Sequence, residues 1–108
     1  MTLEELLGQR KLVGRTIESQ SADNFIFRGR IREAQKWDRG LVRFALADVC
    51  RRYKHPEATW RHLPDSALLA GAGTPVEFGI DGSIMFPLPE GGRATILPEE
   101  KRGSGGKR

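Results

Sequence analysis

The stretch that most constrains the fold is FIFRGRIRE, residues 25–33, in which two kinds of side chain alternate. One set of alternate positions holds arginines, at Arg28, Arg30 and Arg32. The other set holds apolar residues, at Phe25, Phe27 and Ile31. A period of two is typical of a β-strand with one face toward a core. Gly29 falls among the apolar positions, where a glycine indicates a bend or a close approach of neighbouring backbone.

The rest of the chain predicts one short helix and several further strands. Thr2 is a suitable N-cap, and Glu4 and Glu5 suit a first turn, so residues 2–10 are expected to be helical. Turn signals separate the segments with strand character, which are residues 12–20, 24–37, 41–50, 74–80, 83–88 and 93–98. Asp81-Gly82 is a strong tight-turn pair between two of them.

Residues 51–73 are the least periodic part of the chain, and Pro56 and Pro64 interrupt regular structure there. Residues 64–70 could form a single helical turn, because Pro64 stands near its start. Large apolar residues are expected to anchor this excursion to the core, namely Trp60, Leu63, Leu68 and Leu69.

The predicted fold is mainly β. A short, strongly bent sheet closes best on itself, because closure removes exposed edges. We therefore predict a small, strongly bent antiparallel five-stranded barrel with a short N-terminal helix. The chain of 108 residues suits one domain, expected over residues 1–98, followed by a flexible basic tail over residues 99–108.

Charge is distributed unevenly along the chain. Residues 28–61 hold ten basic and four acidic side chains, whereas residues 62–100 hold one basic and six acidic ones. Four basic residues of the last segment account for the net charge of +4, namely Lys101, Arg102, Lys107 and Arg108. A basic half beside an acidic half favours either a nucleic-acid face or head-to-tail association of subunits, so a homo-oligomer is expected.

Composition and segment lengths favour a soluble protein in a reducing compartment. The single cysteine, Cys50, excludes an internal disulfide, which favours the cytoplasm. No apolar run approaches the roughly 20 residues that span a bilayer, so no membrane partner is expected. The N-terminus is acidic before its apolar residues, unlike a secretory leader.

Two parts of the chain resemble the Sm and Sm-like proteins, over about residues 2–49 and 75–86. LEELLGQRKLVGRTIES resembles their first helix and strand, and ADNFIFRGRI resembles the turn and second strand, with Gly29 at the bend glycine. GLVRFALADV resembles the third strand, ending at Asp48, and VEFGIDGSIMF resembles the last hairpin. The resemblance implies an RNA-associated small barrel whose subunits pair through sheet edges.

The chain departs from the Sm pattern at two places. The family usually has an asparagine in the loop after the second strand, where it holds a base; here the comparable place is Arg39 or Gly40. The family's arginine-glycine pair in the last hairpin is replaced by Asp81-Gly82. The resemblance therefore implies the barrel and its edges, without the usual uridine pocket.

The arginine row gives the sequence its candidate binding site. Alternate strand positions lie about 6.6–6.8 Å apart, close to the spacing of phosphates along a nucleic-acid strand. Phosphates are expected to contact Arg28, Arg30, Arg32 and Arg43. Bases are expected to stack on Trp37 or Tyr53, with Trp60 as a further aromatic face and Arg15, Arg51 and Arg52 as further cations.

A second explanation of the same row stays open. A half-buried strand must present polar side chains to water, and arginine does so while its stem covers apolar surface. Glu33, Asp38 and Asp48 are the acids expected to neutralise part of the row. The chain would then be a self-associating interaction protein, with its arginine face against the acidic 77–100 region of a neighbour and no nucleic-acid ligand.

No motif in the sequence indicates an enzyme, and we expect no cofactor. Cys50, His55 and His62 lack the paired spacing of zinc sites. Cys50 shares the alternation of Val42 and Phe44, so it is expected to pack in the core. The most concrete function that the sequence supports is non-enzymatic binding of single-stranded nucleic acid, with RNA as the expected ligand.

Overall fold

The computed structural model describes residues 1–21, 23–55 and 57–99. These residues form one α-helix, one short 3-10 turn at Asp38–Gly40 and eight β-strands, so the mainly β prediction is confirmed. The helix and strands are α1 (Leu3–Gln9), β1 (Thr16–Gln20), β2 (Phe25–Trp37), β3 (Leu41–Tyr53), β4 (Arg61–His62), β5 (Ser66–Gly71), β6 (Glu77–Phe78), β7 (Ile84–Pro87) and β8 (Arg93–Ile96).

Helix α1 begins with a complete capping box. Thr2 Oγ1 accepts from the backbone N–H of Glu5, and Glu5 Oε1 accepts from the backbone N–H of Thr2 at 2.8 Å. The hydrogen bond from the Thr2 backbone, followed by that from its hydroxyl, lowers the pKa of Glu5. Leu3 and Leu6 are fully buried, so the predicted helix closes one side of the core.

The eight strands form one antiparallel sheet that does not close into a barrel. Their order is β4-β3-β2-β1-β8-β7-β6, and β5 pairs with β3 beside β4. The predicted closed barrel of five strands is therefore wrong in both closure and strand number. Helix α1 is attached to the segment that follows β5. The backbone N–H groups of Leu3 and Glu4 donate to the carbonyls of Thr74 and Ala72.

The open sheet nevertheless curls around one hydrophobic core. Phe44 on β3 and Phe86 on β7 are almost fully buried, and their rings lie 5.9 Å apart. Three strands separate β3 from β7 in the sheet, so this contact requires the sheet to bend back on itself. The strongly bent character expected from the sequence is thus present without closure of the hydrogen-bond ladder.

A bulge in the β2–β3 ladder changes which β3 side chains face the core. Arg28 is opposite Cys50, but Arg30 is opposite Ala47, so β3 has one extra residue there. Asp48 adopts a φ of 54°, the left-handed conformation of a bulge residue. After it the alternation reverses, which buries Val49 and leaves Cys50 half-buried. The prediction that Cys50 belongs to the core is therefore wrong.

The least periodic segment contains two strands, β4 and β5, that pair with β3 in one common register. If that register is continued between β4 and β5, Pro64 lies opposite the bulge residue Asp48. The hydrogen-bond ladder along this edge of β3 is interrupted at that point. The helical turn predicted over residues 64–70 is wrong, because residues 66–71 instead bond to β3. Leu63 and Leu68 pack against the core as expected, whereas Leu69 is 43% exposed.

The predicted C-terminal strands are present as β6, β7 and β8. Asp81 stabilises the β6–β7 turn, since its Oδ1 accepts from the backbone N–H of Ser83 at 2.9 Å and from its hydroxyl at 2.7 Å. Except for Glu99, the predicted basic tail lies outside the described residues. Among the helices that the structure describes, none has the length and apolar character to cross a bilayer.

Candidate functional site

The three arginines of residues 28–32 lie on an extended strand, and each one is paired with a carboxylate. Arg28 contacts Glu18 on β1 at 2.7 Å. The other two pairs join Arg30 to Asp48 at 2.9 Å and Arg32 to Asp65 at 3.2 Å. Asp48 is the one acid of these pairs that the sequence led us to expect. The other two observed partners are Glu18 on β1 and Asp65 in the segment before β5.

These ion pairs lower the net charge of the row without burying it. The side chains of Arg30 and Arg32 are 52% and 60% exposed. Exposed pairs of this kind contribute about 0–1 kcal/mol each. A phosphate could therefore replace a carboxylate at little cost. The row nevertheless carries less net positive charge than its sequence indicates, because each arginine already has an acidic partner.

Arg43 and Trp37 lie at the far end of the hairpin from Tyr53. Arg43 is opposite Gln35, and its guanidinium is 5.1 Å from the centre of the Trp37 ring, which is 46% exposed. Arg43 lies four positions along β3 from Ala47, the partner of Arg30, a distance of about 13 Å along a strand. The structure thus spreads the six predicted site residues along one long hairpin, with Arg28 and Tyr53 toward its open end, Arg30 and Arg32 in its middle, and Arg43 and Trp37 near its turn.

The end opposite the turn carries an exposed aromatic stack. Phe25 begins β2 and Tyr53 ends β3; they are direct partners in the ladder, and their rings stack with centroids 4.3 Å apart. Tyr53 is 56% exposed. The guanidinium of Arg51 lies 4.7 Å from the centre of the Phe25 ring, and Arg61 on β4 is opposite Arg51.

The other face of the same end is built around Trp60. The guanidinium groups of Arg28 and Arg52 lie 4.8 and 5.1 Å from the centre of its ring. Arg52 also donates to the backbone carbonyl of His55 at 3.1 Å. We call Phe25, Arg28, Arg51, Arg52, Tyr53 and Trp60 together the arginine–aromatic cluster.

Stacked arginines keep their hydrogen-bonding capacity. A guanidinium that lies over a ring uses its face, and its N–H groups remain directed outward around the rim. Among the described residues, Arg51 and Arg61 form no ion pair. The cluster therefore combines an exposed ring, which can stack on a base, with cations whose donors can reach a phosphate.

Sequence reasoning found part of this cluster. It singled out Arg28 and Tyr53, placed Arg51, Arg52 and Trp60 as additions to the row, and assigned Phe25 to the core. Phe25 is only half-buried, because it lies beyond the edge of the packed core. The signal that could have located the cluster is the RRY run at residues 51–53, which must pair with the start of β2 in a hairpin turning at residues 38–40.

Arg15 has a structural role that the sequence did not reveal. Its Nη2 donates to the backbone carbonyls of Leu97 at 2.8 Å and Gly82 at 2.9 Å, and its Nε also bonds Leu97. It thus ties the entrance of β1 to the end of β8 and to the β6–β7 turn, away from the arginine–aromatic cluster.

The residues considered for metal or nucleophilic chemistry lie at the edge of the cluster. Cys50 is opposite His62, and His55 Nδ1 accepts from the backbone N–H of Glu57 at 3.2 Å. Within residues 1–21, 23–55 and 57–99, no three histidine, cysteine or acidic side chains come together as metal ligands would.

Comparison with known proteins gave no relative: no family model, no curated protein and no solved structure matches this chain.

Proposed function

We propose that this protein binds single-stranded nucleic acid, without catalysing a reaction, through the arginine–aromatic cluster and the adjoining arginine row. The observation that carries the proposal is the Phe25–Tyr53 stack, with Tyr53 more than half exposed and Arg51 against Phe25. Single-strand binding proteins combine such stacking faces with cations that follow the phosphates.

The cluster adjoins the row only through its Trp60 face, because the Phe25–Tyr53 stack and Arg51 lie on the opposite face of the β2–β3 hairpin. Arg28 belongs to both, since it contacts Trp60 as well as Glu18. A base on Tyr53 would direct its neighbouring phosphates toward Arg51 and Arg61 on the same face. The bound strand would then pass around the open end of the hairpin to reach Arg28 and Arg30 on the other face. Arg43 with Trp37 would form a second contact point at the other end of the hairpin.

RNA is the first ligand to test. The proposal of RNA depends on the resemblance of residues 2–49 and 75–86 to Sm-like proteins, and stacking alone does not distinguish RNA from DNA. The oligonucleotides should therefore include an unstructured RNA and a DNA of the same base sequence, each about 12 nucleotides long to match the usual range of site sizes.

The decisive measurement is fluorescence anisotropy with these labelled oligonucleotides at about 50 and 200 mM salt. Tyr53→Leu keeps apolar bulk and removes the ring, so it should weaken binding about 5- to 150-fold, since a stacked base contributes about 1–3 kcal/mol. Arg51→Ala should weaken binding and reduce the salt slope by about one.

Two variants serve as matched controls. Phe78→Leu removes another exposed ring, which is 44% exposed, and Arg93→Ala removes another exposed arginine, both outside the cluster. Both should bind as the unaltered protein does. Binding without salt dependence, or equal losses for Tyr53→Leu and Phe78→Leu, would contradict the proposal.

A further inference from the structure

Strand β5 (Ser66–Gly71) forms an unprotected edge of the sheet. It pairs with β3 on one side, and no strand of the described residues pairs with its other side. Edge strands are usually protected by charged residues, proline or a bulge. The sequence of β5, SALLAG, has none of these, and Leu69 is 43% exposed.

The hydrogen bonds of β5 determine which of its backbone groups point outward. The N–H of Ala72 donates to the carbonyl of Gly40 at 2.8 Å, in the same register as the β3–β5 ladder. Backbone groups alternate sides along an antiparallel strand, so Leu68 and Ala70 bond to β3. Ala67 and Leu69 therefore direct their N–H and C=O groups toward the open edge.

We propose that this edge is the interface of a two-fold dimer, in which β5 pairs antiparallel with β5 of a second copy, centred on Leu69. This arrangement places Leu69 opposite its own symmetry mate, Ala67 opposite Gly71 and Leu68 opposite Ala70. The two-fold axis is perpendicular to the sheet, so both copies keep their core faces on the same side. This inference goes beyond nucleic-acid binding and does not rest on it.

The side chains beside the edge favour a second copy as the occupant. On the core side, a groove of about 680 Å³ runs beside β5, with Phe27, Leu46, Leu68 and Leu88 in its walls. The partner strand would direct its own Leu68 and Ala70 to this same side, against the apolar part of a groove that Asp23 and Glu90 also line. On the outer side, the two Leu69 side chains would contact each other across the axis.

Charge does not oppose the arrangement. The nearest cation in the ladder is Arg43, which is opposite Leu69 on β3. Three strand spacings would separate the two copies of Arg43, about 14 Å. That distance exceeds the screening length of about 8 Å at physiological salt, so their repulsion is small. The dimer should therefore persist at high salt, unlike a head-to-tail contact between basic and acidic faces.

Sedimentation velocity of the full chain tests the interface. A contact of two short strands lies at the small end of specific interfaces, so the concentration series should extend from about 1 to about 500 μM. Leu69→Lys places two like charges on the axis and should weaken dimerisation at least 10-fold. Val13→Lys introduces the same charge at another exposed apolar residue, outside the strands, and should leave the dimer intact.

Cross-linking tests the register. In a Cys50→Ala background, Leu69→Cys should form an intermolecular disulfide on mild oxidation, because directly opposed residues have Cα atoms about 5.5 Å apart, within disulfide range. Val13→Cys in the same background should not form one efficiently. Circular dichroism of each variant would verify that the sheet is retained.

The proposal would be overturned by a protein that stays monomeric throughout the series, by a dimer that Leu69→Lys leaves unchanged, or by a folded Leu69→Cys variant that does not cross-link more than the Val13→Cys control. A dimer that dissociates with salt would also overturn it, and would instead support the head-to-tail contact.

Discussion

Arg30 on β2 and Asp48 on β3 form an ion pair, with Nη2 and Oδ2 2.9 Å apart, across the bulge that Asp48 itself creates. The bulge moves Asp48 out of the regular alternation and brings its carboxylate against the central arginine of the row. Continuation of the β3–β4 register places Pro64, which has no N–H to donate, opposite this residue. One of the two register shifts in the β2–β3 ladder thus lowers the charge of the candidate binding face.

Asp48→Asn should strengthen nucleic-acid binding. Asparagine tolerates the left-handed conformation, so the bulge is retained while Arg30 loses its carboxylate partner. Anisotropy with the labelled RNA should show tighter binding at low salt and a salt slope that is steeper by about one. The control is Glu77→Gln, which removes an exposed carboxylate on β6, at the other end of the sheet. Equal affinity for Asp48→Asn and Glu77→Gln would remove the arginine row from the proposed path.

Gly29→Ala should destabilise the fold. A Cβ at this position would lie 3.1 Å from Leu46 Cβ and 3.3 Å from Leu46 Cδ1, both tighter than ordinary packing. Overpacking of a core typically costs about 1–3 kcal/mol, so the thermal midpoint should fall by several degrees.

Gly8→Ala is the matched control, measured by the same thermal unfolding. Gly8 lies within α1, and a Cβ there would meet nothing within 4 Å. Alanine is the better helix residue by about 0.5–1 kcal/mol, so this variant should unfold at a higher temperature. If the two variants shift the midpoint in the same direction, the crowding at Gly29 does not determine its identity.

The β6–β7 turn should give the fold a component of stability that is lost in acid. The hydrogen bonds from the hydroxyl and then the backbone N–H of Ser83 lower the pKa of Asp81. A lowered pKa in the folded state means that this contribution is complete above the ordinary aspartate pKa. It is lost as the pH falls through the folded value.

The measurement is the thermal midpoint of the unaltered protein and of Asp81→Asn between about pH 6 and pH 2, a range that includes the ordinary aspartate pKa of about 3.9. The difference between them should be largest near neutrality and should shrink in acid, because asparagine does not titrate. A difference that stays constant with pH would show that the charge on Asp81 does not stabilise the turn.

Local sequence patterns predicted most of the elements. The helix was predictable from Thr2 and Glu5, because a capping box involves residues three positions apart. β2 was predictable because arginines alternate with apolar residues or glycine from Phe27 to Arg32, and the β6–β7 hairpin because Asp81-Gly82 specifies a tight turn. Each of these features depends on neighbours within a few residues along the chain.

The errors concern interactions between distant segments. Residues 66–71 have good helix formers, yet their backbone bonds to β3, and such tertiary pairing outweighs local propensity. The prediction for Cys50 was wrong because the bulge at Asp48 reverses the alternation of β3. An aspartate in a strand does not by itself indicate a bulge. Closure was wrong because whether a sheet's two edges meet depends on the bend accumulated over all its strands.

The sequence by itself determined that residues 25–33 are extended, with arginines alternating against apolar residues, because that period is a local property of the backbone. Tertiary structure alone decided that carboxylates from β1, β3 and the segment before β5 pair with those arginines, that Tyr53 stacks on Phe25, and that β5 is left as an open edge. The physical reason is that ion pairs, ring contacts and strand edges depend on which distant segments are adjacent after the sheet has bent.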